Sequence, residues 1–353
     1  MIVKKILSLA ASIIKLFIII LLFTYNSKAE EKNIKYYSYD KGILSLMYHR
    51  FDENKYPSTN IQMDIFKEQI GIIRNLKYNF YDPIDLEKNF QDIKEEKKIL
   101  ITIDDAFSSF YEFAWPYLKK EKIPFILFVS TESVGKNGYM NWDQIKELEK
   151  ENTVQIGNHS HTHNYLVDLK NEDFIDDVDT ASIIFNEKLG YNPIFFSYPF
   201  GEYSSFIKNH ISKNFKFSFG QHSGVIDNNK DRYELPRFPI NEKYGDLERF
   251  KFLINLYPLQ FKNLYPAEKY LTANNNPPDF SVEFFNKQKN IKNINCFSDE
   301  GNKWEKSNIS FIQNTLQLNF REKFNFRRGR INCSLNDDGI WRWFGVQFSV
   351  KQN

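Results

Sequence analysis

Two short stretches of this chain hold the residue types that metal-assisted hydrolysis needs. Asp104 and Asp105 stand in the sequence T-I-D-D-A-F, directly after a short apolar run. His159 and His163 stand four positions apart in N-H-S-H-T-H, after a second apolar run. One carboxylate and two imidazoles can hold a divalent cation such as Zn²⁺ and leave positions open for water. The second carboxylate would then be free to act as a base.

Both apolar runs, residues 99–101 and 154–156, predict buried β-strands. Side chains at the carboxyl ends of parallel strands lie at the same end of a barrel, and this is the end at which barrel enzymes have their active sites. Short apolar strands alternate along the chain with helical patterns, for example 64–76 and 171–189. We therefore expect an α/β fold. It should be a distorted (β/α) barrel of about seven parallel strands, followed by a small antiparallel β domain.

The two motifs resemble those of the NodB-type polysaccharide deacetylases, also called carbohydrate esterase family 4. In that family a T-F-D-D-G segment carries the base and one metal ligand, and an H-[ST]-x-x-H segment carries two histidine ligands. The resemblance covers residues 42–256. It implies that Asp104 is the base and that Asp105, His159 and His163 bind the metal. That ligand set accepts Zn²⁺, and also Co²⁺ or Ni²⁺.

A third segment, S-Y-P-F-G at residues 197–201, is similar to the family's R-x-P-[YF]-G. The resemblance implies that the backbone N–H of Phe200 stabilises the oxyanion; the alternative is a tight turn without a catalytic part. Two departures stand out. Ala106 replaces a glycine, and Ser197 replaces the arginine that orients the catalytic aspartate. Arg237, at a later strand end, either supplies that guanidinium from another direction or forms a structural salt bridge.

Two histidines compete for the role of proton donor. His49 ends the first predicted strand in a Tyr-His arrangement. This arrangement resembles the poly-N-acetylglucosamine deacetylase branch of the family, in which a histidine at that place serves as the general acid. The late L-x-H of other members has no counterpart near residues 253–256. His222 lies in a loop after a later strand and is the rival, and a purely structural role stays open for either histidine.

The segments outside the motifs predict four regions. Residues 1–29 have the charged start, apolar stretch and small residues of a signal peptide, with an uncleaved membrane anchor as the alternative. The catalytic domain is expected over 40–262. Residues 263–278 contain N-N-N-P-P and predict a linker. Short alternating runs over 279–353 predict the β domain.

Both cysteines, Cys296 and Cys333, lie in the predicted C-terminal β domain. If the protein is exported to an oxidising compartment, a single disulfide between them is expected. The alternative is two buried free thiols.

The composition and the motifs exclude some classes of binding partner and enzyme, and the resemblance indicates the activity. A net charge of +2 without a basic block argues against nucleic acid. A zinc peptidase is disfavoured because the histidine motif lacks the glutamate of H-E-x-x-H. The resemblance implies a metal-dependent amidohydrolase that removes N-acetyl groups from an N-acetylglucosamine-containing polysaccharide. An O-acetyl esterase and a non-catalytic carbohydrate-binding protein are the alternatives.

The predicted signal peptide implies an exported protein, either periplasmic or secreted. Association with a membrane or the cell envelope is compatible with it. The polysaccharide itself and the oligomeric state are not specified by the sequence.

Overall fold

The computed structural model describes residues 41–93, 98–285, 288 and 290–352. The predicted signal peptide, residues 1–29, lies outside the described residues. Among the described residues, no helix is both long enough and apolar enough to cross a bilayer.

A nine-stranded sheet dominates the N-terminal half of the described chain. The strands of this half are β1 (Ile43–Tyr48), β2 (Arg50–Phe51), β3 (Asn60–Ile61), β4 (Asn79–Phe80), β5 (Lys98–Ile103), β6 (Phe125–Val129), β7 (Val154–Asn158), β8 (Phe195–Ser197), β9 (Phe217–Phe219), β10 (Val225–Ile226) and β11 (Phe238–Pro239). The main path runs β10-β1-β5-β6-β7-β8-β9, while β4 pairs with β5 and β11 with β1. β2 and β3 form a separate pair.

Most neighbours in the nine-stranded sheet are parallel, and β10 is antiparallel to β1. The sheet curls into a half-barrel, so the predicted distorted barrel is confirmed. All residues of β1 and β6 are buried. This explains why these strands read as continuous apolar runs rather than as alternating ones, since both faces of such a sheet are covered.

Helices follow most of the strands. They are α1 (Met63–Asn75), α2 (Asp85–Asn89), α3 (Trp115–Glu121), α4 (Trp142–Glu149), α5 (Asn171–Leu189), α6 (Ser205–Asn214) and α7 (Leu247–Leu253). The helix predicted over 171–189 is confirmed with the same bounds, and Gly190 ends it in a left-handed conformation (φ 82°). The predicted helix 64–76 begins one residue earlier, at Met63, and Gln62 occupies its N-cap.

Two sheets form the C-terminal half. Their strands are β12 (Tyr257–Pro258), β13 (Asn263–Tyr265), β14 (Tyr270–Leu271), β15 (Phe280–Glu283), β16 (Asn295–Ser298), β17 (Glu305–Lys306), β18 (Asn308–Ile312), β19 (Thr315–Asn319), β20 (Arg328–Asp337) and β21 (Ile340–Val350). One sheet runs β12-β21-β20-β16-β17 with β14 beside β21, and the other runs β13-β15-β19-β18. Apart from the parallel pairs that β21 makes with β12 and β14, neighbouring strands are antiparallel, as predicted.

The segment predicted as a linker, residues 263–278, contains strands of both C-terminal sheets. β13 pairs with β15, and β14 pairs with β21. The described residues form one compact unit. The domain boundaries at 40–262 and 279–353 therefore stay predictions.

Cys296 and Cys333 lie directly opposite each other on the neighbouring strands β16 and β20. They form a disulfide, and both are fully buried in the core of the C-terminal half. The predicted pairing is confirmed.

Replacing both cysteines by alanine should lower the free energy of unfolding by about 3–4 kcal/mol, because the disulfide closes a loop between residues 37 positions apart. The measurement is the thermal midpoint in oxidising buffer. A reducing agent should lower the midpoint of the wild type and leave that of the double variant unchanged. A double variant as stable as the oxidised wild type would contradict the prediction.

Candidate functional site

The acidic pair lies at the carboxyl end of β5. The Asp104 amide donates to the Tyr48 carbonyl at the end of β1 (2.9 Å), which ties the two central strands together at this edge. The chain then turns sharply, with φ of 73° at Asp105 and 53° at Ala106. Left-handed backbone costs L-residues about 1–2 kcal/mol each, and such strain is concentrated at functional sites. This left-handed conformation suits the glycine that the family motif has at the position of Ala106.

The histidine pair follows β7, beside β6. The His159 amide donates to the Val129 carbonyl (2.9 Å), which continues the ladder between the two strands. Beyond it the loop is held by the nearly buried Asp177 of α5, whose carboxylate accepts from the amides of His161 (2.8 Å) and Thr162 (3.0 Å). At His163 the backbone turns left-handed (φ 56°). The loop thereby brings the imidazole of His163 next to that of His159.

Asp105, His159 and His163 come together as predicted. His163 Nε2 lies 3.2 Å and His159 Nε2 3.6 Å from Asp105 Oδ1. The three ligand atoms all lie within 4.8 Å of one another. A tetrahedral site with bonds of about 2.1 Å has edges of about 3.4 Å, so the donor spacing fits a small divalent cation.

A second hydrogen bond fixes the orientation of one imidazole. His159 Nδ1 lies 2.7 Å from the carbonyl oxygen of Ser197. A carbonyl can only accept, so Nδ1 carries the proton and the lone pair of Nε2 points into the cluster. His159 is buried, whereas the side chains of His163 and Asp105 are 25% and 14% exposed. The cluster is therefore open to solvent on one side.

Asp104 is held by Arg237. The guanidinium donates through Nη1 to Oδ1 (2.6 Å) and through Nη2 to Oδ2 (2.9 Å), and both side chains are fully buried. Burial alone would raise the pKa of Asp104. The positive charge of Arg237, with smaller contributions from His159 and His49, outweighs burial and lowers this pKa to about 2. Asp104 is consequently ionised at neutral pH.

The remaining donors of Arg237 explain how the guanidinium is placed. Nη2 donates to Ser197 Oγ (2.8 Å) and Nε to the Gly220 carbonyl (2.9 Å). Nη1 lies 3.2 Å from Thr102 Oγ1. Ser197, which stands where the family motif has arginine, thus accepts a bond from Arg237, the residue directly before β11. Arg237 satisfies the geometric requirement for an orienter of Asp104.

Phe200 lies beside the cluster in a tight turn formed by Pro199–Gly201. Its backbone is left-handed (φ 59°, ψ 5°). Its ring meets the His163 imidazole edge-on (4.7 Å between centroids) and stacks on Tyr165 (4.1 Å). The turn predicted to supply the oxyanion donor therefore adjoins the metal-ligand candidates.

The two rival histidines lie in different environments. His49 follows β1, is half-buried, and is close enough to Asp104 to lower its pKa. The His222 imidazole instead lines a separate cavity of about 260 Å³ together with Glu234 and Lys269. Burial, only partly offset by Glu234, lowers the pKa of His222 to about 4. Of the two, His49 is the histidine whose charge acts on Asp104, whereas His222 faces the other cavity, and the choice of proton donor stays a prediction.

Several contributing residues carry no signal in the sequence motifs. Asp177 supports the histidine loop, and Tyr165 stacks on Phe200. From the C-terminal half, Gln347 contacts the turn and Arg327 contacts the Tyr165 ring. Only Asp177 could have been suspected, as an acidic residue on the otherwise apolar buried face of α5. The other contacts depend on how distant segments pack.

Residues 91–215 match the family model described as polysaccharide deacetylase. Over 161 residues the chain is 26% identical to a poly-beta-1,6-N-acetyl-D-glucosamine N-deacetylase of Staphylococcus aureus. The predicted resemblance to polysaccharide deacetylases is confirmed. That match covers 42% of this chain and 56% of the relative, so the chain spans about half the length of the relative it matches.

Two solved structures share the fold. The deacetylase PplD of Streptococcus pyogenes, solved in complex with acetate, has a TM-score of 0.56 at 20% identity; the match covers 61% of this chain and 99% of PplD. IcaB from Ammonifex degensii has a TM-score of 0.55 at 24% identity, with 61% and 97% covered.

Substituting lysine for Arg237 should lower the turnover of acetylated substrate about tenfold to a hundredfold, because lysine keeps the charge but cannot grip both oxygens of Asp104. Kinetics, zinc affinity and the thermal midpoint of Arg237→Lys should be measured together. Zinc affinity should change little, since the guanidinium binds Asp104 and Ser197 rather than the candidate metal ligands.

Arg232→Lys is the matched control for this substitution. Arg232 lies on the same segment, and its guanidinium contacts the rings of Phe90 and Phe217 rather than the acidic pair. Full turnover in Arg237→Lys would show that the fork geometry is dispensable.

Proposed function

We propose that this protein is a metal-dependent hydrolase that removes N-acetyl groups from an N-acetylglucosamine-containing polysaccharide. The observation that carries the proposal is the juxtaposition of a facial Asp-His-His cluster with a separate, arginine-held carboxylate. The match to the polysaccharide deacetylase model and the named activity of the Staphylococcus aureus relative support the reaction class.

Asp105, His159 and His163 would hold the metal. A small divalent cation fits their donors, and Zn²⁺ is the ion we propose, with Co²⁺ and Ni²⁺ compatible with the same nitrogen and oxygen set. When bound, such an ion would polarise the acetamide carbonyl and acidify a water molecule, so that even a carboxylate as acidic as Asp104 can accept the proton.

Asp104 acts as the base in this proposal. Arg237 occupies both carboxylate oxygens along one side, which fixes the plane of the carboxylate and keeps it ionised. Asp104 Oδ2 lies 3.8 Å from His159 Nε2, so it adjoins the cluster. It takes the proton of the water whose oxygen attacks the carbonyl carbon.

The developing charge and the leaving group need two further residues. The backbone N–H of Phe200 is proposed to donate to the carbonyl oxygen as that oxygen becomes negative, a contribution of about 3 kcal/mol. Protonated His49 donates to the sugar nitrogen as the carbon–nitrogen bond breaks, because an amine anion is a very poor leaving group. The products are acetate and a glucosamine unit in the polymer.

We further propose that the protein acts outside the cytoplasm, as the predicted signal peptide implies. The buried disulfide between Cys296 and Cys333 supports an oxidising compartment. The substrate encountered there would be a polysaccharide of the cell surface or the cell wall.

The proposal is tested by acetate release from a panel of glycans by the zinc-loaded protein. The panel should contain β-1,6- and β-1,4-linked N-acetylglucosamine oligosaccharides, peptidoglycan fragments and an O-acetylated glycan. Acetate should appear from at least one N-acetylated glycan and disappear with Asp104→Asn, which removes the base without touching the ligand set. The expected loss is 10²-fold or more.

Each alternative has its own outcome in this experiment. Release from the O-acetylated glycan alone would favour the esterase, and tight sugar binding without acetate would favour the carbohydrate-binding protein. Asp179→Asn serves as the control, because it makes the same chemical change at an exposed position of α5 and leaves Asp104 and the histidine loop intact. Full turnover after exhaustive chelation would contradict the metal dependence.

A further inference from the structure

The long hairpin of the C-terminal half, β20 with β21, reaches the edge of the half-barrel that holds the metal-ligand candidates. The side-chain amide of Gln347 on β21 donates to the carbonyl oxygens of Phe200 (3.0 Å) and Gly201 (3.2 Å). Gln347 is 4% exposed, so these bonds are made away from competing water. They hold the very turn proposed to supply the oxyanion donor.

The turn needs such support. Phe200 has a left-handed backbone, a conformation that a residue with a Cβ atom disfavours and that persists only where the surroundings determine it. Gly201 is also left-handed, and a Cβ atom there would lie 2.5 Å from Gln221. The turn is therefore confined between the neighbouring loop and the amide of Gln347.

A second contact acts on the same turn indirectly, from Arg327, just before β20, through the ring of Tyr165. Its guanidinium lies 3.4 Å from the centre of the Tyr165 ring, and Tyr165 stacks on Phe200. Two carboxylates hold Arg327 in place, Asp168 at 2.7 Å and the buried Glu202 at 3.0 Å. The order of contacts is thus Arg327, Tyr165, Phe200 and then the imidazole of His163.

The hairpin also packs on the loop behind Arg237. Trp343 Nε1 donates to Ser223 Oγ (2.9 Å), and Ser223 Oγ donates to Asn332 Oδ1 (2.7 Å). Residue 224 forms a β-bridge with Phe344. This loop accepts two bonds from Arg237, at the carbonyls of residues 220 and 222. Both loops that complete the candidate site therefore rest on one hairpin.

We propose that the β20–β21 hairpin is part of the catalytic apparatus and that Gln347 is a positioning residue for the oxyanion turn. The inference rests on the proposed function, since it assigns to a distant segment the placement of a group that acts in deacetylation. It implies that the half-barrel shared with relatives is incomplete in this chain without its C-terminal half. Arg327 assists by fixing Tyr165 against the turn.

The experiment compares Gln347→Leu with the wild type on a glycan from which the wild type releases acetate. Leucine fills the buried space but removes the donor. The turn should loosen, so kcat should fall at least tenfold while KM changes less than about twofold, because the oxyanion is bound only in the transition state. Zinc affinity should stay within about threefold of the wild type, since no ligand is altered.

A second measurement is independent of turnover. Hydrogen–deuterium exchange of the peptide covering residues 198–203 should become faster in Gln347→Leu. Gln352→Ala, an exposed glutamine beyond the same strand, is the matched control and should match the wild type in exchange and in turnover. Arg327→Lys should give a smaller loss in the same direction, with Arg321→Lys as its control, because Arg321 pairs with Glu300 and Glu305 and not with the turn.

The two proposals fail in different ways. Unchanged exchange and unchanged kcat in Gln347→Leu would overturn the positioning role even if the wild type releases acetate. An increase in KM with an unchanged kcat would also overturn it, because that result would assign Gln347 to substrate binding. A wild type that releases no acetate from any glycan would overturn the proposed function, and with it the catalytic part of this inference.

Discussion

The buried ion pair between Arg237 and Asp104 is the interaction on which the candidate site depends. Removing two charges from water is costly, and the cost is offset here because the fork of the guanidinium matches both carboxylate oxygens. The other donors of Arg237 reach Ser197 and Gly220, so the pair also ties together the ends of β5, β8 and β9. One side chain thereby closes the carboxyl edge of the half-barrel.

This pair separates the two adjacent carboxylates by role. Asp104 faces inward to the guanidinium and is fully buried, whereas Asp105, turned by its left-handed backbone, faces His159 and His163 at the open side. Two carboxylates in sequence would otherwise compete for the same cation and the same proton. The ion pair with Arg237 prevents that competition, because it holds Asp104 and leaves Asp105 to face the two imidazoles.

The sequence predicts those parts of the site whose signals are local. Strand-forming apolar runs end at the acidic pair and at the first histidine, and parallel strands bring their ends to one edge. The fold class and the family resemblance followed from those patterns and are confirmed. Arg237 could be named only because the expected arginine is missing at Ser197, since its partner lies 133 positions away.

The contacts of the C-terminal hairpin lie beyond sequence reasoning. Gln347 reaches Phe200 across 147 positions, and a buried glutamine within a strand has no pattern that names its partner. The linker predicted at residues 263–278 illustrates the same difficulty. Its asparagines and prolines indicate turns, but the strand pairings of β13 and β14 depend on partners that come later in the chain.

The measurement that tests this account most directly is a crystal structure of the zinc-soaked protein with anomalous scattering recorded at the zinc edge. The account predicts one strong anomalous peak bound by Asp105, His159 and His163, with Asp104 unligated and still gripped by Arg237. A peak that includes Asp104 among its ligands, or no peak between the two imidazoles, would contradict it.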